Sequence, residues 1–123
     1  MEKPYILWFD EIGLQDLPLV GGKNASLGEM RKELSKSGVN VPNGFAVTVN
    51  AYNAFLERGI VQEWHDGLGK RNVKENIEEI LKGLDVGNIE NLSDKGSRVR
   101  RLIYSLEFPR DLVDEIVKAY RSL

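Results

Sequence analysis

Gly21-Gly22-Lys23-Asn24-Ala25-Ser26-Leu27 is the segment of this sequence whose residue types and spacing could do chemistry. Two glycines let the backbone turn sharply and let a ligand approach it closely. A helical pattern starts directly after them. The first N–H groups of a helix lack intrahelical acceptors, and the helix dipole adds partial positive charge at the same end. Lys23 puts a full positive charge there, which costs a bare helix a few tenths of a kcal/mol up to about 1 kcal/mol. A bound phosphate reverses the sign, because ammonium, dipole and free N–H groups then attract one anion. Gly-Gly-Lys is not a Walker loop, which sets a longer glycine-spaced stretch before its lysine. Taken alone, it is also what a glycine turn into a helix with a solvated lysine looks like.

The other residues capable of chemistry read more plainly. Asp10 and Glu11 directly follow an apolar run, where consecutive side chains diverge, so they suit turn chemistry better than a carboxylate pair. Lys95, Arg98, Arg100 and Arg101 interleave with an apolar stripe and nearby acids, the pattern of a solvated helix face. Trp8, Phe9, Phe45 and Tyr52 suit core packing better than an adenine pocket. His65 is the sole histidine and reads as a surface or edge residue; one histidine builds no metal cluster without several placed carboxylates. No catalytic residue and no metal ligand is expected within this chain.

Short elements must position the glycine segment. Tyr5 to Phe9 reads as a buried strand, followed by a turn-rich connection from Asp10 to Pro18. A helix is predicted from about Lys23 to Ser37, with Leu27, Met30 and Leu34 as its apolar stripe and Gly38 as a left-handed stop. Pro42-Asn43-Gly44 is a turn signal before a second strand, Phe45 to Val49. A helix crosses between the two strands, so a parallel right-handed unit is possible. Thr48 or Asn50 can cap the next helix, in which Tyr52, Phe55 and Leu56 share a face before Gly59 interrupts it.

The second half reads as helix. Ile60, Val61, Trp64 and Leu68 fit a short amphipathic turn or two. Val73, Ile77, Ile80, Leu81 and Leu84 make one stripe. Ile89, Leu92, Val99, Leu102, Ile103 and Leu106 make another, with Gly96 inside it as a weak point. Pro109 opens a last helix carrying Leu112, Val113, Ile116, Ala119 and Tyr120. The pattern is still helical at Leu123, which suggests a cut inside a larger protein.

Composition bounds the rest. The 123 residues, 41% apolar and 29% charged, suit one soluble domain or subdomain with a modest core. No apolar run approaches the ~20 residues of a membrane span, and no secretory signal stands at the start. The lack of cysteine fits a cytoplasmic protein, and a net charge of -2 gives no reason to expect nucleic acid or a membrane surface as partner.

Three blocks taken in order say more. Leu7-Trp8-Phe9-Asp10-Glu11-Ile12-Gly13, Val20 to Met30, and Val41-Pro42-Asn43-Gly44-Phe45-Ala46-Val47-Thr48 strongly resemble the start of the phosphoenolpyruvate synthase and pyruvate phosphate dikinase family. The resemblance covers essentially the whole chain. It implies an α+β fold over residues 1–123: the N-terminal subdomain of an ATP-grasp nucleotide-binding region, mostly helical with a small sheet. It implies conversion of ATP, pyruvate and water to phosphoenolpyruvate, AMP and phosphate, with ATP and magnesium as cofactors. The partners it implies lie in the same polypeptide: the remaining ATP-grasp region, a domain with a phosphorylated histidine, and a pyruvate-binding barrel. The family's phosphate-contacting lysine falls on Lys23, with backbone contacts expected from Gly21, Gly22 and Asn24. The glycine- and threonine-rich surroundings of the family's histidine are missing around His65. Two rivals remain, a rifampicin phosphotransferase-like kinase and a non-enzymatic helical interaction module; the Trp8-Phe9 block and the wording Asn24 to Leu27 favour the synthase.

Overall fold

The computed structural model describes residues 3–61 and 72–123. Six α-helices and two antiparallel strand pairs occur among them, an α+β arrangement. The chain divides into two compact units, Met1–Asn53 with Arg110–Leu123, and Ala54–Pro109.

The first unit starts with strand β1, Ile6–Trp8. Two 3-10 turns follow, Phe9–Glu11 and Leu14–Asp16. Each is held by its own acid: the Trp8 N–H donates to Glu11 Oε2 at 2.9 Å and the Gly13 N–H to Asp16 Oδ2 at 2.9 Å. A single-turn helix α1, Leu17–Val20, runs into the long helix α2, Gly22–Lys36. Helix α2 ends as its sequence foretells, with Gly38 at φ 79° and the Val39 N–H returning to the Leu34 carbonyl. The chain comes back to strand β2, Phe45–Val47.

Strands β1 and β2 pair antiparallel, with Ile6 opposite Val47 and Trp8 opposite Phe45. The parallel crossover that the intervening helix allowed is not formed. The returning loop is tied to the end of β1: the Phe9 N–H donates to the Gly44 carbonyl at 2.9 Å, and Asn43 reaches Asp10. Strand β2 therefore begins beside the residue where β1 ends and has to run backwards. Thr48 closes the sheet, donating its hydroxyl to the Pro4 carbonyl at 2.6 Å and accepting from the Ala51 N–H. It is the cap of helix α3, Val49–Arg58, in place of Asn50.

Ile12, Val20, Ala25 and Ala46 form the core of this unit, with Leu7, Phe9 and Leu19 packed against it. Helix α2 buries a face of small residues, not its leucines. Ala25 and Gly28 are buried, while Leu27, Met30 and Leu34 stay 39%, 47% and 37% exposed. The cause is distance: a Cβ at Gly28 would lie 2.4 Å from the Ile12 carbonyl oxygen. Only glycine lets the helix come so near that backbone. The last helix, α6 (Arg110–Arg121), belongs to the same unit, packs on β1 and buries Leu112 and Ala119.

The second unit differs from its sequence reading at its start. Ile60–Val61 is strand β3, paired antiparallel with strand β4, Leu106–Glu107. Gly59 ends α3 through its N–H on the Phe55 carbonyl, and two β-branched residues after a helix stop suit a strand better than another turn. Trp64 and Leu68 lie outside the described residues. Helix α4, Val73–Leu81, is capped by the Asn72 side chain; helix α5, Ile89–Tyr104, is capped by Asn88 and runs unbroken through Gly96. Val73, Ile80, Leu102 and Leu106 are buried here, and the Phe55 and Phe108 rings pack 4.7 Å apart. Tyr52, expected on a face with Phe55 and Leu56, is 51% exposed.

The contact at Gly28 has a measurable consequence. Gly28→Ala gains at most about 1 kcal/mol of helix propensity and loses about 1–3 kcal/mol to overpacking against rigid backbone. Its urea midpoint falls with the slope unchanged, while Ser26→Ala, on the exposed side of the same helix, stays within about 0.5 kcal/mol of the parent.

Candidate functional site

The glycine segment folds into a turn that hands one helix to the next. The Gly21 N–H closes α1 on the Leu17 carbonyl at 2.8 Å, and the Gly21 carbonyl opens α2 by accepting from Ala25 at 3.0 Å. Gly21 sits at φ 84°, ψ 164°, a region essentially reserved for glycine. Gly22 needs no such freedom, since it is the first helical residue and a Cβ there would meet open space.

Gly21, Gly22 and Lys23 are exposed, and Asn24 is half-buried. Helical geometry leaves the N–H groups of Gly22, Lys23 and Asn24 without intrahelical acceptors. The Asn24 side chain is committed elsewhere: its Nδ2 donates to the Val20 carbonyl at 2.9 Å. It fastens the end of α1 to the start of α2. Among the described residues no ion pair holds Lys23. The four predicted residues are thus brought together as one open, positively polarised helix start.

The body of α2 is anchored by Arg31, which sequence reasoning passed over, and by Asp10, which it assigned to turn chemistry. Arg31 donates from Nε to Asp10 Oδ1 and from Nη1 to the Val41 carbonyl. Asp10 accepts with its other oxygen from Asn43 Nδ2 at 3.0 Å. Glu11 does the local turn work expected of this acidic pair, whereas Asp10 makes contacts 21 and 33 residues away. Nothing in the local pattern announces such a link.

The remaining candidates lie apart from the turn. Trp8 and Phe45 meet edge-on at 5.5 Å across the sheet, and Phe9 packs on the core. An open groove of about 340 Å³ runs along β1 and α6, lined by Ile6, Trp8, Glu11, Glu115, Lys118, Ala119 and Ser122, and shares no residue with the glycine turn. Arg100 and Arg101 lie exposed on α5. His65 lies outside the described residues. Among the described residues, no three of the His, Cys, Asp and Glu side chains group to hold a metal, and no helix is long and apolar enough to cross a membrane.

Fold and turn together define a helix-rich α+β protein with a glycine-led, lysine-bearing helix start. Residues 17–123 match the family model for the pyruvate phosphate dikinase AMP/ATP-binding domain, and the chain belongs to that family. Within it, the chain is similar to phosphoenolpyruvate synthases. It is 38% identical to that of Synechocystis sp. over 99% of this chain, 40% to that of Aquifex aeolicus over 98%, and 38% to that of Escherichia coli over 98%. It spans 13% of the length of the first two relatives and 14% of the third.

The two glycines separate conformational need from mere openness. Neither would meet a neighbour as alanine, yet only Gly21 has a positive φ. Gly21→Ala is expected to lose about 1–3 kcal/mol of stability in urea unfolding, while Gly22→Ala is neutral or gains up to about 1 kcal/mol.

Proposed function

We propose that this chain supplies part of the ATP phosphate-binding site of a phosphoenolpyruvate synthase. One observation carries the proposal: a glycine at φ 84° leads directly into the open N-terminus of a 15-residue helix, with exposed Lys23 in its first turn. Membership of an AMP/ATP-binding family supplies the ligand class.

The residues fit a polyphosphate. No side chain caps the helix start by a hydrogen bond, and open space surrounds the Cβ positions of both glycines. The first N–H groups hold phosphate oxygens, the helix dipole attracts their charge, and the Lys23 ammonium follows the β- and γ-phosphates. During phosphoryl transfer the charge on these oxygens shifts, and donors already in place stabilise it without reorganising. Lys23, unfavourable at a bare helix start, becomes favourable once the anion is bound.

The full reaction takes ATP, pyruvate and water to phosphoenolpyruvate, AMP and phosphate through a phosphohistidine. In this proposal the histidine, the pyruvate site and the magnesium ligands belong to other parts of a longer cytoplasmic polypeptide. Magnesium would neutralise the triphosphate; the chain's own role is to grip and orient it.

In the full-length enzyme, Lys23→Ala is expected to lower steady-state turnover about 10²- to 10³-fold in folded protein. Near-normal turnover defeats the assignment. The isolated chain is expected to bind ATP at a millimolar dissociation constant or weaker, about -4 kcal/mol at best, because water and salt screen an open half-site and few contacts offset the lost freedom of the ligand. Calorimetric titration with ATP and magnesium checks this. Micromolar binding lost in Lys23→Ala would show a self-sufficient nucleotide site instead.

A further inference from the structure

The glycine turn does not itself aim the helix start. A Cβ at Gly21 or Gly22 would meet nothing within 4 Å, so the glycines themselves pack on nothing, and the helix start is tied to the end of α1 by the Asn24 side chain. Beyond that single tie, the direction of Lys23 comes from the body of α2. That body is held along one face at three successive places. Ala25 is fully buried, Gly28 lies against the Ile12 backbone, and Arg31 bonds to Asp10 and to the Val41 carbonyl. Residues three apart share a helix face, so the three form one track.

The first two holds set the distance between α2 and the 3-10 turn Phe9–Glu11. They do not set the tilt, because small residues give a fulcrum but no lever arm. Arg31 lies on the other side of that fulcrum from Lys23. Its guanidinium is a rigid fork, with one arm on the turn after β1 and the other on the loop before β2. Asn43 donates to the second carboxylate oxygen of Asp10, which ties the carboxylate to the loop before β2 as well as to the helix. Lys23 lies five residues from Gly28, about 7.5 Å along the axis, so a tilt of about 8° moves it about 1 Å. A shift of that size at a reacting group costs about 10²-fold in rate.

We propose that the Asp10–Arg31–Asn43 clamp is the positioning device of the phosphate-binding helix start, fixing the tilt of α2 and through it the aim of Lys23. This rests on Lys23 being the phosphate contact. Arg31 and Asp10 act as positioning residues and touch no substrate.

A double-mutant cycle in the full-length enzyme tests it. Asp10→Ala, Arg31→Lys and Lys23→Ala are made singly, and each clamp variant is also combined with Lys23→Ala. The ATP kcat and KM and the urea midpoint are measured for each. Arg31→Lys keeps the charge but cannot span both of its acceptors. Each clamp variant is expected to lower kcat/KM for ATP about 10- to 100-fold in folded enzyme. Added to Lys23→Ala, it brings a smaller further loss than it does alone, because only the helix-start N–H groups are then left to misaim. Wild-type kcat/KM in a folded clamp variant, or losses that multiply with that of Lys23→Ala, overturn the proposal. A lowered urea midpoint with unchanged kcat/KM assigns the clamp to stability alone and overturns it equally. Should Asp10→Ala not fold, Arg31→Lys decides. Normal turnover in Lys23→Ala instead removes the phosphate-site assignment, and the clamp proposal goes with it.

Discussion

The contact between the Gly28 backbone and the Ile12 carbonyl is the constraint on which the first unit depends. A Cβ there would sit 2.4 Å from that oxygen, so helix α2 meets the turn after β1 backbone to backbone. At such a distance the facing side of the helix must be small, and Ala25 and Gly28 are the residues it buries. The leucines and methionine of α2 are consequently turned outward. Burial of Ile12, Val20, Ala25 and Ala46 then draws in β2, since Ala46 lies opposite Leu7 across the sheet.

The same approach settles the topology. With α2 pressed on the Phe9–Glu11 turn, Arg31 can reach both Asp10 and the Val41 carbonyl, and Asn43 can reach Asp10. The loop before β2 is thereby fixed at the end of β1. An antiparallel pair is the sole way for β2 to proceed from there along β1. Polar contacts that look peripheral in the sequence thus choose between two sheet topologies with identical strands.

Charge at the start of α2 works against stability in the bare protein and for affinity when an anion is present. Asn24 reconciles the two demands. Its side chain satisfies the Val20 carbonyl, securing α1, and helical geometry leaves its backbone N–H without an intrahelical acceptor. The exposed large residues elsewhere on this unit, Leu27, Met30, Leu34 and Val47 among them, belong to a chain that covers only 13–14% of its relatives' length.

Local chemistry made much of the protein legible from its sequence. The glycine pair before a helical period marked the candidate site, Gly38 marked the end of α2, and Thr48 offered the cap of α3, because each effect acts within a few residues. Strand direction, the buried face of α2, the pairing of Ile60–Val61 with Leu106–Glu107 and the partners of Asp10 were not legible. Each depends on residues far apart in the sequence meeting in space, Ile12 with Gly28 and Asp10 with Arg31 among them. Periodicity identified Leu27, Met30 and Leu34 as one face but not whether that face would be covered. Sequence by itself determined where α2 starts and stops, through backbone conformation at Gly21 and Gly38. Tertiary structure alone decided which faces are buried and how the strands run, because close packing at a single glycine and one arginine fork join segments that are distant in the sequence.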